Sequence, residues 1–387
     1  MVLLILYESD YNVMKSLFEN TIVNNIKLKN RFIRSSTWLR RANEDGTVNE
    51  EMLAAYEELA QGGVGLIMTE YAFVTDEEQP NPKMLGAYDD RFIEGFEKIA
   101  KIIHQNNSKV ALQIAYGGSQ CTHQNAQEMK ILGPFAVKNP YTGLTPKEAD
   151  HNEIESLIKS FGDAAYRAKI SGMDGVQIHA AHGYLLSQWL TPYFNRREDA
   201  YGGSIQNRAR ILYEIYEDIR RKTGKDFAVM IKINQDDLVT NNEGLTTDES
   251  IQVIEQLDKL GVDLIEISGG NTSLIGSVDR TARKGIFNRD RQSYFRDAAQ
   301  RAAARMKRAK IALVGGNRDF GLMTELLNTT QIEYFSMSRP FLCEADLVNK
   351  WKQNTNYRMR CVACNQCWGK ERNECIHRRA GNAGGEI

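Results

Sequence analysis

The stretch AQGGVGLIM, residues 60–68, carries the pattern that decides the fold of this chain. Small residues that can end a helix are followed at once by an apolar run of strand length. The same pattern returns in ISGMDGVQI, residues 170–178, and in LGVDLIEI, residues 260–267. Glycine just after a helix accommodates the left-handed cap, and a nearly continuous apolar run is typical of a strand buried on both faces. The pattern therefore predicts alternating helices and strands in a parallel sheet.

Eight apolar runs of this kind occur along the chain, centred near Ile33, Ile67, Leu112, Val176, Met230, Ile265, Leu313 and Phe335. No linker rich in Pro, Gly or Ser separates them, and no G-x-G-x-x-G follows the first run, as a doubly wound nucleotide-binding sheet would require. The fold class that we expect is therefore α/β, a (β/α)8 barrel. Long connections at residues 115–149, 183–203 and 269–290 would lie at the carboxyl face, where barrels place their chemistry.

Charge and hydropathy exclude several classes of protein. The 387 residues carry 49 Lys and Arg against 50 Asp and Glu, a net charge of −1, which argues against nucleic-acid binding. The early apolar run at residues 2–7 is too short to span a bilayer and lacks the flanks of a signal peptide. We therefore expect a cytoplasmic protein with a small-molecule substrate and neither nucleic-acid nor membrane partners, and leave self-association into a homo-oligomer open.

The most informative motif is VQIHAAHGY, residues 176–184. His179 stands where the fourth strand ends, and His182 and Tyr184 follow it into a long loop. Two neutral imidazoles can donate N–H groups to one carbonyl oxygen, and a tyrosine hydroxyl can deliver a proton to the adjacent carbon. The alternatives are structural histidines beside a packing tyrosine, or a zinc pair, although no carboxylate stands at a helical metal spacing.

Two further sites suit charged groups. A phosphate would suit the ends of the seventh and eighth strands, where Gly315 and Gly316 are followed later by Ser338 and Arg339. The alternative is that Gly-Gly forms an ordinary tight turn. Lys232 interrupts an apolar strand, where a charge is costly without a partner. An anionic flavin ring is one such partner, and a structural carboxylate is the plain alternative.

Longer strings carry a family resemblance. LKNRF at 28–32, QIA at 113–115, residues 174–184 and above all NRREDAYGGSIQNRAR at 195–210 resemble the old yellow enzyme family of FMN-dependent NADH:flavin oxidoreductases. The resemblance covers about residues 14–340. It implies an FMN-binding barrel in which hydride passes from NAD(P)H through FMN to an activated alkene of enone or dienoyl type.

The resemblance also implies roles for single residues. His179 and His182 would bind the substrate carbonyl, and Tyr184 would be the proton donor. The positions that would contact FMN are Ser35, Ser36, Thr37 and Trp38 along the ring system, Gln113 and Lys232 at its pyrimidine, and Gly315, Gly316, Ser338 and Arg339 at the phosphate. Trp38 stands where other members carry Thr or Cys, Tyr71 where a small residue is common, and Lys232 where several branches carry Arg. These differences leave the redox potential of the flavin and the shape of the substrate open.

Four cysteines crowd near the C-terminus, at Cys361, Cys364, Cys367 and Cys375. Thiolates at such spacing suit an iron–sulfur cluster or zinc. Together with Asn365-Gln366 they resemble the branch of the family that includes 2,4-dienoyl-CoA reductases and trimethylamine dehydrogenase, which implies a 4Fe–4S cluster. The fourth cysteine comes sooner than in those relatives, and a metal-free relic is the alternative.

We divide the chain into an N-terminal extension, 1–13, an FMN-binding barrel, 14–355, and a cysteine-rich C-terminal segment, 356–387. The expected function is an ene-reductase type of oxidoreductase. The alternatives are an NADH oxidase or a flavin or quinone reductase, an iron–sulfur redox-sensing or electron-transfer protein, and a barrel that binds a sugar phosphate.

Overall fold

The computed structural model describes residues 14–239, 243–274 and 281–378, so the predicted extension 1–13 lies outside the described residues. Within the described part, eight parallel strands form one closed sheet. They are β1 (Phe32–Arg34), β2 (Leu66–Phe73), β3 (Lys109–Ala115), β4 (Gly175–Ala180), β5 (Ala228–Asn234), β6 (Leu264–Ser268), β7 (Lys310–Leu313) and β8 (Ile332–Met337). Each predicted strand centre falls inside its strand.

The sheet closes because β1 has a neighbour on both sides. Phe32 pairs with Phe335 of β8, and Ile33 pairs with Leu66 of β2. The other strands follow one another in chain order around the barrel. The predicted (β/α)8 barrel is thereby confirmed.

One helix follows each strand along the chain. They are α1 (Glu50–Gln61), α2 (Ile93–Gln105), α3 (His151–Ile170), α4 (Arg210–Thr223), α5 (Thr247–Leu260), α6 (Arg296–Ala303), α7 (Phe320–Thr329) and α8 (Leu347–Gln353). Shorter helices span Leu185–Leu190, Ile205–Arg208 and Arg339–Cys343, with 3-10 turns at Asp90–Phe92, Gly118–Gln120, Ala126–Glu128 and Arg289–Arg291. None of the helices in the described residues is both long and apolar enough to cross a membrane.

Small β elements complete the fold. Leu85–Gly86 pairs with the end of β2, Leu132–Gly133 pairs with Lys147–Glu148, and an antiparallel hairpin joins Thr21–Val23 to Ile26–Leu28. The apolar hairpin residues pack in one cluster with interior residues of the barrel strands. Asn24 also donates to the backbone carbonyl of Lys225, which precedes β5. The hairpin therefore covers the amino-terminal end of the barrel.

The C-terminal segment packs on the loop between β1 and α1. The backbone N–H of Asn373 donates to Leu39 O at 3.0 Å, and its side-chain amide donates to Trp38 O at 3.0 Å. Arg40 donates to Gly369 O from the other side. The cysteine-rich segment is thus attached directly to the loop that was predicted to line the cofactor.

Candidate active site

A cavity of about 560 Å³ lies at the carboxyl end of the barrel strands. Cavities of this size suit a cofactor or a small substrate. Its wall brings together every predicted cofactor and catalytic residue, namely Ser35, Ser36, Thr37, Trp38, Gln113, His179, His182, Tyr184, Lys232, Gly315, Gly316, Ser338 and Arg339. Of the four C-terminal cysteines, Cys361 lines this cavity. The individual roles given to these residues stay predictions.

The two histidines form one edge-to-face pair, with ring centroids 5.3 Å apart. Burial lowers the pKa of His182 to about 3 and that of His179 well below its usual range, and the charge of Lys232 adds to both effects. Both imidazoles are therefore neutral near pH 7. His182 Nε2 lies 2.7 Å from Ser268 Oγ, whereas His179 Nδ1 is buried and has no hydrogen-bond partner among the described residues.

Tyr184 belongs to a hydrogen-bonded group that the sequence did not indicate. Its hydroxyl donates to the hydroxyl of Tyr71 at 3.0 Å, and the side-chain amide of Asn81 donates to both hydroxyl oxygens. The hydroxyl of Thr122 donates to the amide oxygen of Asn81. Because that bond fixes the orientation of the amide, the Asn81 N–H groups face the two tyrosines.

Lys232 has a carboxylate partner, as the plain alternative from sequence required. Its ammonium lies 3.2 Å from Glu266 and donates to Ser35 Oγ at 2.7 Å, and Ser35 in turn donates to Glu266. Lys232 and Glu266 are directly opposite each other in the register of β5 and β6. Both side chains are buried, and each supplies the partner that the other needs inside a protein.

Glu266 also orients a predicted flavin contact. Gln177 donates to Glu266 at 2.8 Å, and Gln113 donates to Gln177 at 2.6 Å. With its N–H group directed at Gln177, the Gln113 amide keeps a fixed orientation at the cavity wall. Sequence reasoning missed Glu266 and Gln177, although a charged residue in the apolar run of β6 was the available signal.

The far part of the cavity is lined by two glycines and two arginines. Gly315 and Gly316 have φ values of +108° and +78°, and a Cβ on either would lie 2.7 Å from the Tyr294 or Phe295 rings. Glycine is therefore required there both for backbone conformation and for space. Arg339, which donates to Arg283 O and Asn365 Oδ1, lines the same region together with Arg318.

Several buried polar atoms belong to cavity residues and have no hydrogen-bond partner among the described residues. Besides His179 Nδ1 they are Ser36 Oγ, Trp38 Nε1 and Ser336 Oγ. Buried polar groups are rarely left unpaired in native proteins.

The predicted metal centre is not confirmed. Cys361, Cys367 and Cys375 are buried, but in the described ranges no group of three or more His, Cys, Asp or Glu side chains is arranged to hold a metal ion. The thiols still affect one another, since burial together with neighbouring thiols raises the pKa of Cys367 to about 12. Burial and a hydrogen bond with Cys375 also raise the pKa of Cys343, which stands apart in the sequence.

Comparison with known proteins agrees with the fold and the motifs. The sequence profile of the NADH:flavin oxidoreductase / NADH oxidase family matches residues 16–358. The NADH oxidase of Thermoanaerobacter brockii is 29% identical over 352 residues, which are 90% of this chain and 53% of that relative. The NADPH dehydrogenase of Clostridium acetobutylicum is 31% identical over 257 residues, 66% of this chain and 74% of that relative.

Among solved structures, a 2-naphthoyl-CoA reductase complex shares the fold with a TM-score of 0.84 at 24% identity, covering 91% of this chain and 54% of that chain. The chain therefore spans about half the length of the NADH oxidase and of the naphthoyl-CoA reductase. The profile match nevertheless covers most of the chain, and the motifs that suggested the family lie inside it. The chain belongs to the NADH:flavin oxidoreductase / NADH oxidase family.

Proposed function

We propose that this protein is an FMN-dependent oxidoreductase that takes hydride from NAD(P)H and reduces an activated alkene, such as an enone or a dienoyl compound. The observation that carries the proposal is one wall of the cavity, where two neutral imidazoles pack edge to face and the Tyr184 ring lies beside that of His179. Family membership supports a flavin and a nicotinamide as the redox partners.

The residues present fit FMN. We assign the ring system to the wall formed by residues 35–38, Gln113 and Lys232, where Ser36 Oγ and Trp38 Nε1 have no partner among the described residues. We assign the phosphate to Gly315, Gly316, Ser338 and Arg339, where glycines and a guanidinium meet. When bound, FMN accepts hydride equivalents from NAD(P)H and passes them to the second substrate.

The chain's own residues would activate and protonate that substrate. A neutral imidazole donates an N–H to a carbonyl oxygen without carrying a charge, and so stabilises the negative charge that develops there. His179 Nδ1 has no hydrogen-bond partner among the described residues. Tyr184 and its hydroxyl partners lie beside the His179 ring, with the ring centroids of Tyr184 and His179 4.9 Å apart, and would deliver the proton.

The test uses anaerobically purified protein. We expect flavin absorbance bands, FMN on heat release, bleaching of the bands by NADH or NADPH, and their return on adding 2-cyclohexenone with formation of cyclohexanone. A colourless protein that cannot be reconstituted with FMN would contradict the proposal and favour the sugar-phosphate alternative.

A second candidate activity is oxidation of NADH by oxygen or a quinone. The name of the Thermoanaerobacter brockii relative, NADH oxidase, favours it. These acceptors need no proton delivered to carbon, so the two activities separate in one experiment. Reoxidation of the reduced protein by oxygen or a quinone, with no response to the enone, would select this second activity.

We also propose the C-terminal cysteines as ligands of a metal centre, 4Fe–4S ahead of zinc. Their spacing supports it. Iron and zinc per chain are measured after anaerobic purification of wild type, Cys364→Ser and Cys121→Ser, since Cys121 is buried in another cluster. Metal lost only in Cys364→Ser is the expected result, and wild type without metal contradicts it. Iron without turnover would instead favour the electron-transfer alternative.

A further inference from the structure

We propose that Tyr71, and not Tyr184, is the tyrosine that protonates the substrate, and that Tyr184 replaces the proton that Tyr71 gives up. This inference rests on the proposed reduction of an alkene. It concerns a residue at which this chain departs from the small side chain expected at that position.

The hydrogen bonds of the two tyrosines leave one proton to spare. Asn81 is 4% exposed, and its amide donates to Tyr71 at 3.0 Å and to Tyr184 at 3.3 Å, so both phenol oxygens already accept a bond. Two hydroxyl protons remain, and the bond from Tyr184 to Tyr71 uses one of them. The proton of Tyr71 is then the one without an acceptor among the described residues, and a bound substrate can take it.

The position of Tyr71 suits this role. It lies on β2, opposite Gln113 in the register of β3, and lines the cavity with 9% of its surface exposed. Its ring centroid is 6.1 Å from that of His179 and 5.3 Å from that of Tyr184. A carbonyl held by His179 would therefore place its neighbouring carbons beside both phenols.

The proton balance closes with solvent as the source. Alkene reduction adds a hydride to one carbon, supplied by NAD(P)H by way of the cofactor, and a proton to the other. The O–H bond of Tyr71 breaks, a C–H bond forms, and the Tyr71 oxygen then takes the proton of Tyr184. Tyr184 lines the cavity and is partly exposed, so water entering the cavity restores its proton.

The test compares Tyr71→Phe, Tyr184→Phe and, as a matched control on the exposed face of α3, Tyr166→Phe. Flavin in each holoprotein is reduced anaerobically with NADH and reoxidised in a stopped-flow instrument with 2-cyclohexenone or, separately, with a quinone. We expect Tyr71→Phe to slow reoxidation by the enone about 100-fold and Tyr184→Phe about 10-fold or less, with the control at the wild-type rate.

The rates of flavin reduction by NADH and of reoxidation by the quinone should stay within about threefold of wild type in all variants, since neither step protonates carbon. If the two tyrosines had a purely structural role, their substitution would slow these two steps as well. Equal effects of the two substitutions on the enone step, or a larger effect of Tyr184→Phe, overturn the inference while the proposed function stands. A wild-type protein that the quinone reoxidises and the enone does not overturns both.

Discussion

The carboxyl group of Glu78 is a single buried residue whose ionisation should be visible in stability. It is 1% exposed, one oxygen accepts from Gly117 N at 3.1 Å, and the other has no partner among the described residues. Burial raises its pKa to about 8. Because the unfolded chain releases this proton near pH 4.3, the folded state is stabilised fully below that pH and loses this contribution as pH rises towards 8.

Glu78→Gln keeps an oxygen for Gly117 and removes the ionisation. We expect its melting temperature to match wild type at pH 5 and to exceed it by a few °C at pH 8. Thermal unfolding across this range is the measurement, with Glu97→Gln on the exposed face of α2 as the control. A shift of the same size at both pH values would show that ionisation of Glu78 is not the cause.

The two site histidines lead to a prediction about activity. Burial and Lys232 lower the pKa of His182 to about 3 and that of His179 well below its usual range, so both imidazoles stay neutral near pH 7. The rate of enone reduction in rapid-mixing experiments should therefore show no histidine ionisation between pH 6 and 8. A tenfold fall with an apparent pKa near 6.5, abolished by His182→Gln, would contradict the neutral pair.

Which site residues can be found from sequence depends on how they reach the cavity. His179, His182 and Tyr184 are recognisable because they follow one strand in one motif. Glu266 and Asn81 are harder to assign, because they meet their partners Lys232 and Tyr71 only through strand register or the path of a loop. A charged residue in a buried strand is the local sign of such a partner, and an asparagine in a loop has none.

Among the elements, the strands were predictable because a strand covered on both faces is apolar along its whole length. The ends of the helices depend on capping residues. Asp150 and Glu153 form a reciprocal capping box at the start of α3. The start of α5 has the same arrangement, with Thr246 as the cap and Glu249 returning to its backbone.

The cap of α5 has a further connection. Glu249 also binds Arg208 at 2.6 Å, and Arg208 belongs to the string of residues 195–210 that suggested the family. Thr246→Ala should therefore reduce the free energy of unfolding by about 1 kcal/mol, the usual cost of losing an N-cap. Thr246→Ser, which keeps the hydroxyl, is the matched control and should stay close to wild type. Urea unfolding followed by circular dichroism is the measurement; equal losses in both variants would show that the cap is not responsible.

At the scale of the whole molecule, the C-terminal segment forms part of the cavity. Cys361, Ala363, Asn365 and Trp368 all line it, beside the loop that holds Trp38. This arrangement could not be predicted from sequence, because the cysteine spacing suggests a separate module and contains no sign of where that module packs. The connection depends on Asn373, which is 1% exposed.

Asn373 makes two bonds across this junction, since its backbone donates to Leu39 O and its amide donates to Trp38 O, and its side-chain oxygen accepts from Gly369 N at 3.1 Å within the segment. Asn373→Ala keeps the bond to Leu39 and removes the partner of two part-buried backbone groups, Trp38 O and Gly369 N, each at a cost below the roughly 1–3 kcal/mol of a fully buried group. Movement of the C-terminal segment away from the cavity would let water bond to these groups and so reduce that cost. We therefore expect the dissociation constant for FMN to rise at least about tenfold, which corresponds to 1.4 kcal/mol.

The control for this prediction is Arg378→Ala in the same segment, which removes an ion pair with Glu58 on the outside of α1. Such a pair contributes about 1 kcal/mol or less and does not reach the cavity. FMN rebinding to the apoprotein is followed by quenching of flavin fluorescence, and exposure of the segment by the rate at which the buried Cys361 and Cys367 react with a thiol reagent. Asn373→Ala should weaken FMN binding and speed thiol labelling together, whereas Arg378→Ala should change neither. If labelling accelerates while FMN binds as tightly as in wild type, the segment covers the cavity without supporting the cofactor, and the FMN wall is then formed by the barrel loops alone.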